Sequence, residues 1–170
     1  MRGLIALALA SALALPAVAQ VPVALPDAVA LLKGTTLEER IDGAILACLQ
    51  GVDAPAQAET AFQAAGWVRA DEFEGTQSYE GDGVSAMFWD APDPGFCMLE
   101  SDGIGTRALQ DRLSALLGKL HWPQVGAVEI EGCPGLDLGN GLSAAPTSAG
   151  QDPTCSADDA AALRFQRAQK

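Results

Sequence analysis

The fold class is decided by residues 84–120, which run VSAMFWDAPDPGFCMLESDGIGTRALQDRLSALLGKL. Two apolar runs, 84–89 and 96–101, flank a turn that contains both prolines of the stretch, a pattern typical of a β-hairpin. Leucines at helical spacing follow Thr106, which predicts a long amphipathic helix with Thr106 as its N-cap. A hairpin followed by such a helix predicts an α+β fold, with helices packed mainly on one face of an antiparallel sheet.

Three more helices are predicted upstream of the hairpin, over residues 27–33, 37–51 and 55–65. The second has the clearest start, because Thr36 and Glu39 have the spacing of a capping box. Trp67 and Val68 are expected to begin a short strand, and the acidic segment 71–83 is expected to form a loop.

The last third of the chain carries weaker signals. Residues 128–131 alternate like an edge strand, and the Gly-, Ala- and Ser-rich segment 136–148 is compatible with a strand or a loop. Alternation over 161–166 favours a final strand, and a helix beginning at Ser156 is the alternative, because Ser156 and Asp159 also resemble a capping box. No internal repeat is evident in the sequence.

The first nineteen residues have the pattern of a secretory signal peptide. A positive start at Arg2 is followed by an apolar run over 3–15 and a small-residue cleavage site at 17–19. The run is shorter than the roughly 20 residues that span a bilayer, so we expect cleavage rather than anchoring. Residues 20–170 then form a single α+β domain, periplasmic or secreted, with no membrane insertion after cleavage.

Four cysteines agree with an oxidising compartment, since an even number in an exported chain indicates two disulfides. Four cysteines allow three pairings, of which we predict Cys48–Cys97 and Cys133–Cys155. The chain contains no C-x-x-C pair, so neither a thioredoxin-like redox site nor a zinc knuckle is indicated.

The charge balance restricts the partners. The net charge is −12, and removal of the leader with Arg2 makes it one unit more negative. Such a surface repels phosphate backbones and anionic lipids, which argues against nucleic-acid and membrane-surface binding. It favours a basic protein or another cationic ligand, and the simpler interpretation is that the charge only keeps the protein in solution.

A candidate partner-binding surface lies around the hairpin, where acidic residues adjoin aromatic residues. An exposed aromatic residue beside acids would anchor a basic partner, and the favoured alternative is that the aromatic residues fill the core. Its predicted members are Asp71, Glu72, Glu74, Glu80, Asp82, Trp89, Asp90 and Asp93. Calcium binding by the first five is an alternative, but their spacing does not match a calcium loop, and we expect no metal site.

Residues 103–108, GIGTRA, match the loose dinucleotide fingerprint G-x-G-x-x-G/A at the start of a helix. Asp102 places a negative charge in front of the proposed phosphate site, and the preceding strand belongs to a hairpin. We therefore interpret the motif as a strand-to-helix turn and expect no cofactor.

No catalytic constellation stands out. His121 is the only histidine, so a Ser-His-Asp or Cys-His site would depend on it alone. The favoured hypothesis is an exported, non-enzymatic binding or interaction protein. A small periplasmic hydrolase using paired carboxylates or His121 is the alternative, and a purely structural envelope component is a third.

Overall fold

The structure is a computed structural model that describes residues 25–70, 75–89, 95–123, 125–150 and 154–168. The signal-peptide prediction for 1–19 lies outside these residues. The described helices and strands, in chain order, are α1 Leu25–Leu32, α2 Leu37–Gly51, α3 Pro55–Ala65, β1 Val68–Arg69, β2 Thr76–Gly81, β3 Val84–Trp89, β4 Phe96–Ser101, α4 Thr106–Lys119, β5 Gly126–Ile130, β6 Cys133–Gly139, β7 Leu142–Ser148 and β8 Ala161–Arg167. The α+β prediction is confirmed.

The described strands form one eight-stranded sheet in the order β1-β2-β3-β4-β8-β7-β6-β5. Every neighbouring pair is antiparallel. The order has a simple origin: β1–β4 make one meander, β5–β7 make another, and β8 inserts between them. β4 and β8 are therefore the two central strands, and their pairing joins the half formed by β1–β4 to the half formed by β5–β8.

The two halves repeat one architecture, which is a helix followed by four strands. Both α3 and α4 end at a residue in the left-handed conformation, Gly66 (φ 82°) and His121 (φ 51°). A tryptophan follows in each case, and the backbone N–H groups of Trp67 and Trp122 donate 3.0 Å hydrogen bonds to carbonyls five residues earlier. Their indole N–H groups donate to buried backbone carbonyls at 3.1 and 2.8 Å. The two helices thus share one stop signal.

The repeat is also visible in the hairpins. Residues 81–86, GDGVSA, form the β2–β3 turn, and residues 139–144, GNGLSA, form the β6–β7 turn. An arginine donates to the central carbonyl of each turn: Arg40 Nε to Asp82 O at 2.7 Å and Arg167 Nη1 to Asn140 O at 2.6 Å. The structure therefore contains a repeat that was not expected from sequence. It was missed because the residues that the two halves share are too few to be recognised without their positions in the sheet.

The hydrophobic core lies between the helices and one set of alternating strand residues. Val84, Ala86 and Phe88 of β3 and Cys97 and Leu99 of β4 belong to it. Phe62 of α3 stacks against Tyr79 of β2 with 5.4 Å between ring centroids, and Tyr79 stacks against Phe88 at 5.9 Å. Long apolar side chains of α2 and α4 belong to the same cluster, together with residues of α1, β6, β7 and β8.

Both predicted disulfides are confirmed. Cys48–Cys97 links α2 to β4, with 5.3 Å between Cα atoms, and both residues are fully buried. Cys133–Cys155 ties the start of β6 to the segment before β8, with 5.1 Å between Cα atoms. Two disulfides indicate an oxidising, extracellular type of environment.

The structure decides several local expectations. The segment 71–83 is not wholly a loop, because Thr76–Gly81 forms β2, and 136–148 supplies strands β6 and β7. The favoured final strand is confirmed, because Ala161–Arg167 forms β8 and not a helix. Thr106 is the first residue of α4 and not its cap: its hydroxyl group accepts a hydrogen bond from Ala157 N at 3.2 Å, while Gly105 occupies the N-cap position.

The helix α2 starts as predicted. Thr36 Oγ1 accepts from Glu39 N at 3.2 Å, and Glu39 Oε2 accepts from Thr36 N at 3.2 Å. Hydrogen bonds from the backbone and hydroxyl of Thr36 lower the pKa of Glu39. None of the helices in the described ranges has both the length and the apolar character that a bilayer crossing requires.

Candidate functional site

Two adjoining concavities, of about 230 and 190 Å³, lie along β2, β3 and β4. Glu80, Ser85 and Glu100 line both of them, and Asp102 lines the larger one. We call the surface formed by these four residues the acidic groove. Its shape depends on three neighbouring strands, so no single segment of sequence defines it.

Strand register places the two glutamates of the acidic groove on either side of one serine. Glu80 pairs with Ser85 across β2 and β3, and Ser85 pairs with Glu100 across β3 and β4. Since neighbouring strands lie about 4.8 Å apart, the Cα atoms of the two glutamates are roughly 10 Å apart. Glu80 is exposed, whereas Glu100 is half-buried and accepts a 3.3 Å hydrogen bond from Gly150 N.

The next row of the sheet adds an apolar floor beside the carboxylates. Met87 and Met98 pair directly across β3 and β4, and both line the smaller concavity together with Ser78. No lysine or arginine is among the described residues that line either concavity. The described lining is therefore anionic, with a thioether surface alongside that suits an aliphatic chain.

The β2–β3 turn at the end of the groove is held from outside the sheet. Arg40 lies 3.4 Å from the Asp82 carboxylate, and its Nη1 donates to Gly34 O at 3.1 Å. Gly83 has a φ of 79°, which glycine adopts without strain. Asp82 therefore serves the turn through its backbone, and its carboxylate faces a cation of the same chain.

The predicted partner-binding residues are only partly brought together. Asp71, Glu72, Glu74, Asp90 and Asp93 lie outside the described residues. Glu80 belongs to the acidic groove, Asp82 contacts Arg40, and Trp89 lies at the far end of β3. Glu100 and Asp102 were not selected from sequence. The place of Glu100 next to Glu80 becomes visible only when Thr76–Gly81 pairs with β3 as a strand, and this pairing is lost when 71–83 is assigned to a loop.

A second cavity, of about 420 Å³, lies beyond the methionine pair. Trp89 and Phe96 form one wall, with 5.2 Å between their ring centroids, and Trp89 is 43% exposed. Arg164, Gln166 and Glu131 also line it. We call it the aromatic cavity. Its lining combines an aromatic surface with polar groups of β8 and the β5–β6 turn, a composition typical of small-molecule sites.

The glycine-rich turn at 103–108 is occupied by the chain itself. Thr106 N, at the start of α4, donates a 3.0 Å hydrogen bond to Ala157 O. A Cβ atom at Gly105 would meet Asp158 O at 2.5 Å, so the glycine is needed for close approach of this segment. The charged residues that line the adjoining cavity are three acids and one base: Glu38, Asp158, Asp159 and Arg112. The surrounding carboxylates oppose a phosphate there, which agrees with a strand-to-helix turn.

The residues that carry common catalytic chemistry are engaged elsewhere. His121 is exposed and occupies the left-handed position that ends α4. All four cysteines form disulfides, so the thiols are not available as nucleophiles. Among the described residues, no group of three or more His, Cys, Asp or Glu side chains is arranged to hold a metal ion.

The two sites differ in the chemical groups that they present. The acidic groove offers carboxylates beside an apolar floor, and the aromatic cavity offers rings beside a guanidinium group. Comparison of the chain with protein-family models, with curated proteins and with solved structures finds no match.

Proposed function

We propose that the protein is an exported, non-enzymatic binding protein whose acidic groove receives a lysine- or arginine-rich segment of a partner protein. One observation carries the proposal: Glu80 and Glu100 flank Ser85 on three adjacent strands, with no basic side chain among the described residues of the groove. The net charge of −12 supports it, because a field of this sign steers cationic partners toward the protein.

The proposal includes a location for the groove, on a sheet face that the helices leave uncovered. Successive strand residues point to opposite faces. Val84, Ala86 and Phe88 of β3 join the core cluster with the helices, whereas Ser85 and Met87 do not. We infer that the helices pack mainly on the first face, which leaves the row of Glu80, Ser85 and Glu100 accessible.

A basic side chain suits both parts of this surface. Its ammonium or guanidinium group would lie between the carboxylates, and its aliphatic stem would lie along Met87 and Met98. A small inorganic cation would use only the carboxylates, and among the described residues no three of them are arranged for a metal. Charge and shape together therefore favour a peptide.

The binding test uses a fluorescein-labelled decalysine peptide and measures anisotropy at increasing salt. The purified protein is expected to bind with an affinity that falls as salt rises, since the contacts are between exposed charges. The double variant Glu80→Lys/Glu100→Lys is expected to weaken binding about tenfold or more.

The matched control separates the groove from net charge. Asp111 and Glu129 are exposed acids on α4 and β5, and Asp111→Lys/Glu129→Lys produces the same change in charge. The control variant is expected to retain most of the affinity. Equal losses in the two double variants, or binding that does not depend on salt, would contradict the proposal.

A second arm tests the acids that sequence analysis assigned to the same surface. Reversing Asp71, Glu72 and Glu74 to lysine is expected to weaken decalysine binding further.

The proposal places the protein in the periplasm or outside the cell, with residues 1–19 as the cleaved leader. The two disulfides support that compartment, because such bonds persist in an oxidising environment.

A further inference from the structure

The aromatic cavity is distinct from the acidic groove in position and in charge. The Met87–Met98 pair lies between them in the strand register. Two arginines, Arg164 and Arg167, and one glutamate, Glu131, line the cavity among the described residues. The described lining thus has one more basic than acidic side chain, in a chain with 10 basic and 22 acidic residues.

The two arginines have different roles. Arg167 contacts Asp53 and donates to Asn140 O, so its guanidinium group holds the β6–β7 turn. The side chain of Arg164 is 23% exposed, and its only ion pair in the described part of the chain is with Glu131 at 3.7 Å. The Nε atom of Arg164 is buried and makes no hydrogen bond within the described residues. Arg164 is partly exposed and lines the cavity, so it is the group that a ligand carboxylate would contact.

The ion pair of Arg164 is easily exchanged. The Glu131 side chain is 75% exposed, and a distance of 3.7 Å exceeds that of a charge-assisted hydrogen bond. Exposed ion pairs of this kind contribute little to stability. A ligand carboxylate therefore competes with Glu131 at low cost.

The other wall of the cavity sets the shape of the ligand. Phe96 pairs with Gln166 across β4 and β8, and the ring of Trp89 lies beside Phe96. Aromatic rings in this tilted arrangement accept a further planar apolar group. The Gln166 amide lies next to Arg164 on the same strand face and offers a second donor near the guanidinium group.

We propose that the aromatic cavity binds a small monocarboxylate that carries a planar apolar group. The carboxylate contacts Arg164, and the apolar group lies against Trp89 and Phe96. A single negative charge is favoured because the protein as a whole carries a charge of −12, which repels a dianion more strongly. The volume of about 420 Å³ falls within the range of small-molecule sites.

The test titrates the purified protein with 3-phenylpropionate in a calorimeter, with 3-phenylpropionamide as the uncharged isostere. The acid is expected to bind with a dissociation constant of about 1 mM or below, and the amide at least about tenfold more weakly. Arg164→Gln is expected to lower the affinity for the acid by about tenfold or more, and Arg164→Lys by less. If the acid shows no saturable binding up to about 10 mM, which is about ten times the expected dissociation constant, the proposal is overturned.

Two further variants make the result independent of any folding defect at Arg164. Trp89→Ala removes a partly exposed ring and is expected to reduce affinity for the acid, whereas Glu131→Gln removes the competitor and is expected to leave affinity equal or higher. Arg107→Gln, at an exposed position of α4, is the charge control and is expected to have no effect. Equal binding of acid and amide, or equal loss in Arg107→Gln and Arg164→Gln, contradicts the assignment.

Phenylalanine distinguishes two sources of the carboxylate. Stronger binding of phenylalanine than of 3-phenylpropionate, lost in Glu131→Gln, assigns an amino acid, because Glu131 would then contact the ammonium group. Weaker binding of phenylalanine assigns a simple carboxylic acid. The groove variants Glu80→Lys/Glu100→Lys are expected to leave both titrations unchanged, so this test and that of the proposed function fail independently.

Discussion

Tyr79 has a fully buried ring and a polar group that needs partners. Its hydroxyl group donates to Glu59 Oε1 at 3.1 Å and accepts from Gln63 Nε2 at 3.2 Å. Burial raises the pKa of Tyr79 above the ordinary value for tyrosine. It is the only tyrosine in the chain, so its ionisation can be followed without interference from another phenol.

The raised pKa of Tyr79 predicts a loss of stability in alkali. Above about pH 10 the unfolded chain loses the phenol proton while the folded chain keeps it, so the free energy of unfolding falls until the pH passes the folded pKa. Tyr79→Phe is expected to show a smaller fall between pH 9 and pH 11 or so in urea denaturation. Equal pH dependence in the two proteins would contradict the expectation.

The capping box at the N-terminus of α2 is the clearest local signal for the start of a helix, and it allows a prediction about the stability of that helix. Thr36→Ala removes the side-chain acceptor for Glu39 N and is expected to destabilise the protein by about 1 kcal/mol. Thr60→Ala is the control, because Thr60 lies inside α3 and its hydroxyl group donates to Ala56 O at 2.7 Å. Chemical denaturation at neutral pH should show little change for the control.

The same capping box has a pH dependence of known sign. Because the pKa of Glu39 is lowered in the folded state, its contribution is present above the ordinary carboxyl pKa and is lost as pH falls through the folded pKa. The destabilisation by Thr36→Ala is therefore expected to shrink in acid. A difference between wild type and variant that stays constant down to pH 3 or so would contradict this account.

Helices could be predicted from sequence because their signals are local. Capping residues, the glycine at position 66 and the leucine spacing of α4 all act within a few residues. The strand β2 was missed because five of its six residues, all but Tyr79, are polar or glycine. Its place in the sheet depends on pairing with β3, which no local pattern of the 76–81 segment expresses.

The acidic groove was missed in part for the same reason. Glu80 was selected as a member of a loop, and Glu100 was passed over as part of a hairpin strand. Only the register through Ser85 brings them to one row. The pairing of the cysteines, by contrast, could be predicted because Cys48 lies on a clear helix and Cys97 on a clear strand.

The whole molecule is stabilised by cross-links of unequal length, which gives a ranking. In the loop-entropy model, Cys48–Cys97 with a separation of 49 contributes about 4 kcal/mol and Cys133–Cys155 with a separation of 22 about 3 kcal/mol. Cys48 and Cys97 are also fully buried, so their replacement by alanine leaves a cavity.

Double alanine variants test that ranking by guanidinium denaturation. Cys48→Ala/Cys97→Ala is expected to be destabilised more than Cys133→Ala/Cys155→Ala, whose second residue is exposed. The wild-type protein under reducing conditions serves as the control for cross-link loss without a change of side chain. The reverse order of the two variants would show that the C-terminal cross-link, not the core one, limits unfolding.

The position of β8 has a consequence for the timing of folding. It is the last strand along the described chain, yet it lies in the middle of the sheet and pairs with both β4 and β7. Until residues 161–167 have left the ribosome, the two meanders have no shared strand. A chain built in this way cannot complete its sheet during synthesis until this seven-residue segment is available to pair with both meanders.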